Sequence, residues 1–143
     1  MKRRVFSLFV LTIFILLFAV SATAQTAEEW YNKGRDYVYS FDNENAVVCF
    51  TKAIELDPTY AKAYFSRGNC YNALGKYDLA VADETKAIEY EPNDVYAYST
   101  RGEAYTNLGK YDLAIADLNK SIDLEPRPDW NLVSYYFRAI ANH

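Results

Sequence analysis

The chain has 143 residues, with 15 Lys and Arg against 19 Asp and Glu, one His and a formal net charge of −4. That length suits one domain, and the acidic balance argues against a basic nucleic-acid binder. Hydrophobic residues make up 51% and aromatics 17%, too apolar for a disordered chain and enough for a core.

Lys2, Arg3 and Arg4 open the chain, an apolar run follows from Val5 to Val20, broken by Ser7 and Thr12, and then comes Ser21-Ala22-Thr23-Ala24. Small residues at Ala22 and Ala24 suit a signal peptidase, which predicts a signal peptide over 1–24, cleaved after Ala24, and export to the periplasm or beyond. A membrane anchor is the alternative, although the apolar run is shorter than the roughly 20 residues a spanning helix needs. No Cys follows the small residues, which removes the lipoprotein reading. Cleavage leaves 119 residues with 12 basic against 19 acidic side chains.

From there on the chain repeats itself at an interval of 34 residues. Gly34, Gly68 and Gly102 obey the interval, as do Tyr37, Tyr71 and Tyr105, then Ala46, Ala80 and Ala114, and finally Pro58, Pro92 and Pro126. The text NALGKYDLAVAD at Asn72 to Asp83 returns as NLGKYDLAIAD at Asn107 to Asp117. A fixed period of this length marks an array of small stacked units.

Each unit reads as two helices. Thr26 and Glu29 form a capping box before the first helix, in which Trp30, Tyr37 and Phe41 lie about a helical period apart. Gly75 and Gly109 end the first helices of the next two units, and the KYD after each begins the second helix across a tight turn. Pro58, Pro92 and Pro126 block further helix. Gly68 and Gly102 let the second helix approach closely, and Ala80 and Ala114 supply the matching small surface. One hairpin cannot hide its own apolar faces, so the units must stack.

These residues resemble the tetratricopeptide repeat. In the first unit the match is Trp30, Gly34, Tyr37, Ala46, Phe50, Ala53 and Pro58. In the second it is Tyr64, Gly68, Tyr71, Ala80, Ala87 and Pro92, with Glu84 departing at the bulky site. The third gives Tyr98, Gly102, Tyr105, Ala114, Leu118 and Pro126, with Ser121 replacing the second Ala. The resemblance implies an all-α, right-handed superhelical stack, an α-solenoid, with units at 27–60, 61–94 and 95–128. Residues 129–143 form a capping helix or a truncated fourth unit, since Ser134 to Ala139 aligns with Ala63 to Gly68. Trp130, Tyr136, Phe137 and Ile140 leave that last helix little polar outer face, which offers self-association as an alternative to capping.

Charges recur too. Arg67, Arg101 and Arg138 hold equivalent places in first helices, and Asp83 and Asp117 in second helices, which predicts ion pairs between adjacent units, Asp83 with Arg101 and Asp117 with Arg138. Cys49 replaces the Asp in the first unit, and Cys70 lies one turn beyond Arg67. In an exported chain the two cysteines read either as a disulfide or as ordinary small core residues, and both readings stand at this point.

Chemistry is missing. The single His is His143, Gly75-Lys76 and Gly109-Lys110 lack the rest of a phosphate loop, and metal-ligand spacings are absent, so neither an enzyme nor a cofactor nor a small-molecule substrate is expected. The resemblance implies a non-catalytic module binding a peptide or partner helix in a concave groove lined by first helices. The groove positions carried over are Tyr31, Arg35 and Tyr39, then Phe65, Asn69 and Asn72, then Tyr96, Ser99, Glu103 and Thr106. One subgroup of the family grips acidic chaperone tails with Lys, Asn and Arg; Tyr31, Ser66, Tyr96 and Thr100 depart from that clamp. A self-associating scaffold, or a fragment of a longer array, is the second reading.

Overall fold

The computed structural model describes residues 25–126 and 132–141, so the expected signal peptide, Trp130 and His143 lie outside the described residues. Seven helices occupy the described residues: α1 Ala27–Tyr39, α2 Asn43–Leu56, α3 Ala61–Ala73, α4 Tyr77–Tyr90, α5 Val95–Asn107, α6 Tyr111–Leu124 and α7 Leu132–Ala141. No strand accompanies them among those residues, and none of these helices is long and apolar enough to cross a membrane.

The starts and stops follow local chemistry. Thr26 and Glu29 exchange hydrogen bonds as a complete capping box at α1. Asp42 caps α2, and the side-chain and backbone donors of Asn45 hold its carboxyl below the ordinary range; Asp94 caps α5. Helices α2, α4 and α6 end at Leu56, Tyr90 and Leu124, each two residues before a proline.

The turns inside the three hairpins share one pattern. Lys76 N donates to Tyr71 O at 2.8 Å and Gly75 N to Asn72 O at 3.0 Å; Lys110 and Gly109 repeat these bonds at the same distances. The pattern needs a residue with positive φ, which Gly75 and Gly109 supply at +70°. Phe41 fills that place in the first hairpin at φ +61°, with Asp42 N on Tyr37 O and Phe41 N on Val38 O. Phe41 is therefore not on the apolar face of α1 as its spacing from Tyr37 suggests. It sits in the turn and is 90% exposed.

Close packing holds each hairpin shut. A Cβ added to Gly34 would lie 2.6 Å from the Phe50 ring, and one on Gly102 would lie 2.7 Å from Leu118 Cγ. Each glycine thus receives a large side chain from 16 residues later rather than a small-on-small contact, although Ala114 O also comes within 3.3 Å of the Gly102 position. Hairpins then stack in series, α2 on α3, α4 on α5 and α6 on α7. Helix α7 closes the far end of the described core, where Phe137 and the buried Ala141 pack with Ala114 and Leu118.

The expected ion pairs are corrected by one hairpin. Arg67 grips Asp83 of its own unit with two parallel bonds of 2.7 and 2.8 Å, and Arg101 grips Asp117 likewise at 2.6 and 2.8 Å. The reason is where the hairpin closes. Glu84 packs on Gly68 and Leu118 on Gly102, and the Arg–Asp pair lies immediately beside that contact in the same hairpin, whereas the second helix of one unit offers the next unit's arginine a different residue. That residue is Thr51 for Arg67 and Thr85 for Arg101, each accepting from Nη1 at 3.0 Å. Each arginine therefore ties three helices, two of its own hairpin and one of the preceding hairpin. Tyr64 and Tyr71 flank Arg67, and Tyr98 and Tyr105 flank Arg101, with ring centroids 5.7 to 6.0 Å away. Burial works against the two guanidinium charges, yet the facing aspartates outweigh it and both pKa values rise. Arg138 donates to Asn119 at 3.1 Å, the bond equivalent to that of Arg101 with Thr85, rather than meeting Asp117.

The disulfide reading is corrected as well. Cys49 and Cys70 are both free and buried. Cys49 shares the register of Asp83, which turns it toward its own hairpin, while Cys70 packs with Ala46 and Phe50. Burial pushes the Cys70 thiol up to about 11 and raises that of Cys49, against a smaller pull from Lys33.

Two measurements check this architecture. Phe41→Gly removes a left-handed non-glycine residue from an exposed turn and is expected to stabilise the chain by about 1–2 kcal/mol in urea unfolding. Asp83→Ala is expected to cost about 2–4 kcal/mol, because it strands the partly buried Arg67 guanidinium beside a vacated carboxylate site. In double-mutant cycles its coupling should be large with Arg67→Ala and clearly smaller with Arg101→Ala; equal couplings would contradict the within-hairpin pairing.

Candidate functional site

Among the described residues the first helices touch one another in series, α1 with α3, α3 with α5 and α5 with α7, whereas second helices touch only first helices. First helices therefore line the inner side of the curve and second helices the outer side. That inner side is where most of the expected binding residues sit.

A pocket of about 340 Å³ opens on it between α1 and α3. Tyr31, Arg35, Tyr39 and Asn69, all expected groove residues, line it together. Val38, Asn43, Phe50, Ser66, Cys70 and Ala73 complete it and were not read as groove residues from the sequence. Phe50 and Cys70 belong to the core cluster and make the floor, so their apolar character spoke only for packing. Asn43 is the first residue of α2, delivered by the turn at Phe41.

The walls are aromatic. The Tyr31 ring lies 5.6 Å from that of Phe50 and 5.2 Å from that of Tyr60, both tilted. Arg35 Nη2 donates to Tyr39 Oη at 2.8 Å, with the guanidinium 5.7 Å from the Tyr39 ring. This hydrogen bond leads the effects that raise the Arg35 pKa. Among the described residues, Arg35 is the one basic side chain lining the pocket. The arrangement offers an apolar hole with a cation and amides at its rim, which suits an apolar side chain beside a carbonyl or carboxylate.

The other expected groove residues do not join this pocket. Asn72 donates to Thr100 O at 3.1 Å, which makes it a tie between α3 and α5. Thr106 is buried and donates to Gly102 O at 2.9 Å, so it offers the groove no hydroxyl. Ser99 accepts from Ser134 Oγ at 2.8 Å and joins α5 to α7. Phe65 is half-buried, and Glu103 is half-buried with its carboxyl raised by burial. Tyr96 is exposed and borders a separate shallow depression with residues 91–95. The sequence pattern marks which helix face a residue lies on, but a hydroxyl or amide on that face is free for a ligand only if no neighbouring backbone takes it first.

No curated protein matches the chain. Solved structures do. The second such domain of human RPAP3, in complex with an HSP70 peptide, is 27% identical with a TM-score of 0.77, covering 82% of this chain and 95% of that one. The TPR2B domain of yeast Sti1, solved as an Hsp70 complex, is 28% identical at TM-score 0.76, covering 81% and 95%. The Arabidopsis OM64 domain is 29% identical at TM-score 0.77, covering 80% and 93%. Family models described as "Tetratricopeptide repeat" match residues 27–60, 49–82 and 95–128, and one described as "TPR repeat" matches 68–109. Matches running from 27 to 128, over hairpins that stack in series, mean that the chain belongs to the tetratricopeptide repeat family.

Proposed function

We propose that the chain is a non-catalytic interaction module that binds a protein segment along its inner face, anchored in the pocket between α1 and α3. The observation that carries this reading is the convergence of Tyr31, Arg35, Tyr39 and Asn69 on one aromatic-walled hole open to the groove. Similar domains solved with HSP70 peptides support a peptide as the ligand class. Tyr31, Ser66, Tyr96 and Thr100 supply no cluster of cations, so the ligand is held by an apolar side chain in the pocket, with Arg35 and Asn69 meeting its polar groups. Export directs that partner to the periplasm or exterior; the basic cluster at Lys2 to Arg4 and the apolar run to Val20 support this, and a mature chain beginning at Gln25 is the expected product.

Peptides selected from a random library against the purified chain are expected to carry an apolar anchor. Arg35→Ala and Asn69→Ala should each weaken the selected peptides by about 5-fold or more, since a charge-assisted or buried hydrogen bond is lost, while Lys52→Ala on the outer side leaves affinity unchanged. Fluorescence polarisation reads this directly, and unaltered binding by both groove variants would remove the pocket from the proposal.

A second reading has its own observation. Leu132, Val133, Tyr136 and Ile140 are all exposed on α7 and give it an apolar surface of the kind that marks interaction sites. Self-association through α7 predicts a concentration-dependent sedimentation coefficient that Tyr136→Asp abolishes; a monomer at all concentrations would dismiss it.

A further inference from the structure

We propose that Glu84 makes the second hairpin a pH-sensitive joint, packed against Gly68 as a neutral carboxyl and driving α4 off α3 when it ionises. The argument starts from register. Phe50 and Leu118 occupy the same place in the first and third hairpins, each filling the space left by a glycine. Glu84 fills it in the second, at 0% exposure, and a Cβ on Gly68 would lie 2.5 Å from its Oε1. The carboxyl is used as a core side chain.

Neither of its oxygens has a hydrogen-bond partner. The other buried acceptor in that condition among the described residues is Asn72 Oδ1, one turn along α3 from Gly68. A carboxylate only accepts, so it adds nothing to surroundings already short of donors, whereas the protonated form brings an O–H. Ionisation in place would leave a charge with neither water nor a donor, and the relief is movement of α4 toward solvent. The charged groups around it do not compensate. Asp94 is the cap of α5, Arg101 lies within α5 and is held by Asp117, Asp83 is on its own helix, and Arg67 of α3 is already held by Asp83.

Burial, then Asp94 and Asp83, push the Glu84 carboxyl well above the usual carboxylate range, against an opposing pull from Arg101. The folded chain thus keeps a proton that the unfolded chain releases above about pH 4.3. Its stabilising effect is full below that pH and is lost as pH rises through the folded pKa. The direction is opposite to that of Asp42, whose lowered carboxyl adds stability as pH rises.

The test compares the purified chain with Glu84→Gln and Glu84→Leu in urea unfolding across about pH 5 to 8, a window above the unfolded pKa. The ratio of the wild-type unfolding constant to that of either variant is expected to climb with pH, by up to tenfold per unit for one proton. Hydrogen exchange at pH 8 should show α3 and α4 less protected in the wild type than in Glu84→Leu, with α6 unchanged. Glu84→Leu, which restores the side chain found at Leu118, serves as the reference if the amide variant does not fold. A ratio independent of pH overturns the proposal, and so does equal protection of α3 and α4 in wild type and variant.

Discussion

Everything in this fold depends on how closely two antiparallel helices can approach at one glycine. Gly34, Gly68 and Gly102 each sit mid-helix, where glycine is otherwise unfavourable. What offsets that cost is the insertion of Phe50, Glu84 or Leu118 onto the bare backbone. The approach fixes the register of the hairpin. The residues that flank each contact, Arg67 with Asp83 and Arg101 with Asp117, are brought together with it and form the arginine forks. Because each fork also reaches a threonine of the preceding hairpin, closure within one unit and docking between units rest on the same guanidinium.

The period of 34 made the hairpins, their turns and their stacking legible, because glycine, alanine and proline at fixed intervals have few alternative physical meanings. Ion-pair partners were not legible in the same way. In a periodic chain every Asp has an Arg both upstream in its own unit and downstream in the next, and spacing alone cannot choose between them. The glycine register chooses, but only once the side chain that occupies each glycine is known. Asp83 and Cys49 were misassigned for this one reason, since they share a register position. Phe41 is a different case. Its spacing from Tyr37 reads as helix, yet it also stands one full period before Gly75, and the second relation is the one the backbone obeys.

The candidate site was legible as a face and not as a pocket. Tyr31, Arg35, Tyr39 and Asn69 were found because helical geometry puts them on the inner side. Asn72, Ser99 and Thr106 share that side, but each hydroxyl or amide is engaged by a neighbouring residue. Such engagement depends on distances of a few ångströms between helices, which no periodicity carries. The floor residues Phe50 and Cys70 were hidden for the opposite reason: a core position that happens to border a groove looks like any other core position.

The hairpins share a frame but not a chemistry, and the differences fall where the pocket is. In the first hairpin, Lys33 and Cys49 stand where the others have an arginine and an aspartate, with Lys33 over the Trp30 ring at 5.0 Å. Its turn carries Phe41 in a conformation that favours glycine. The third hairpin instead has the complete fork and a leucine under its glycine. Lys33, Phe41, Cys49 and Glu84 thus depart from the repeat within the two hairpins that form the site, beside the change at Ser121 in the third, as expected where local stability is given up for a surface that does something else. The unusual residues at Phe41, Cys70 and Glu84 are then best understood together: Phe41 forms the turn that leads to Asn43 at the cavity, Cys70 belongs to its floor, and Glu84 packs on Gly68 of α3, the helix that forms its far wall.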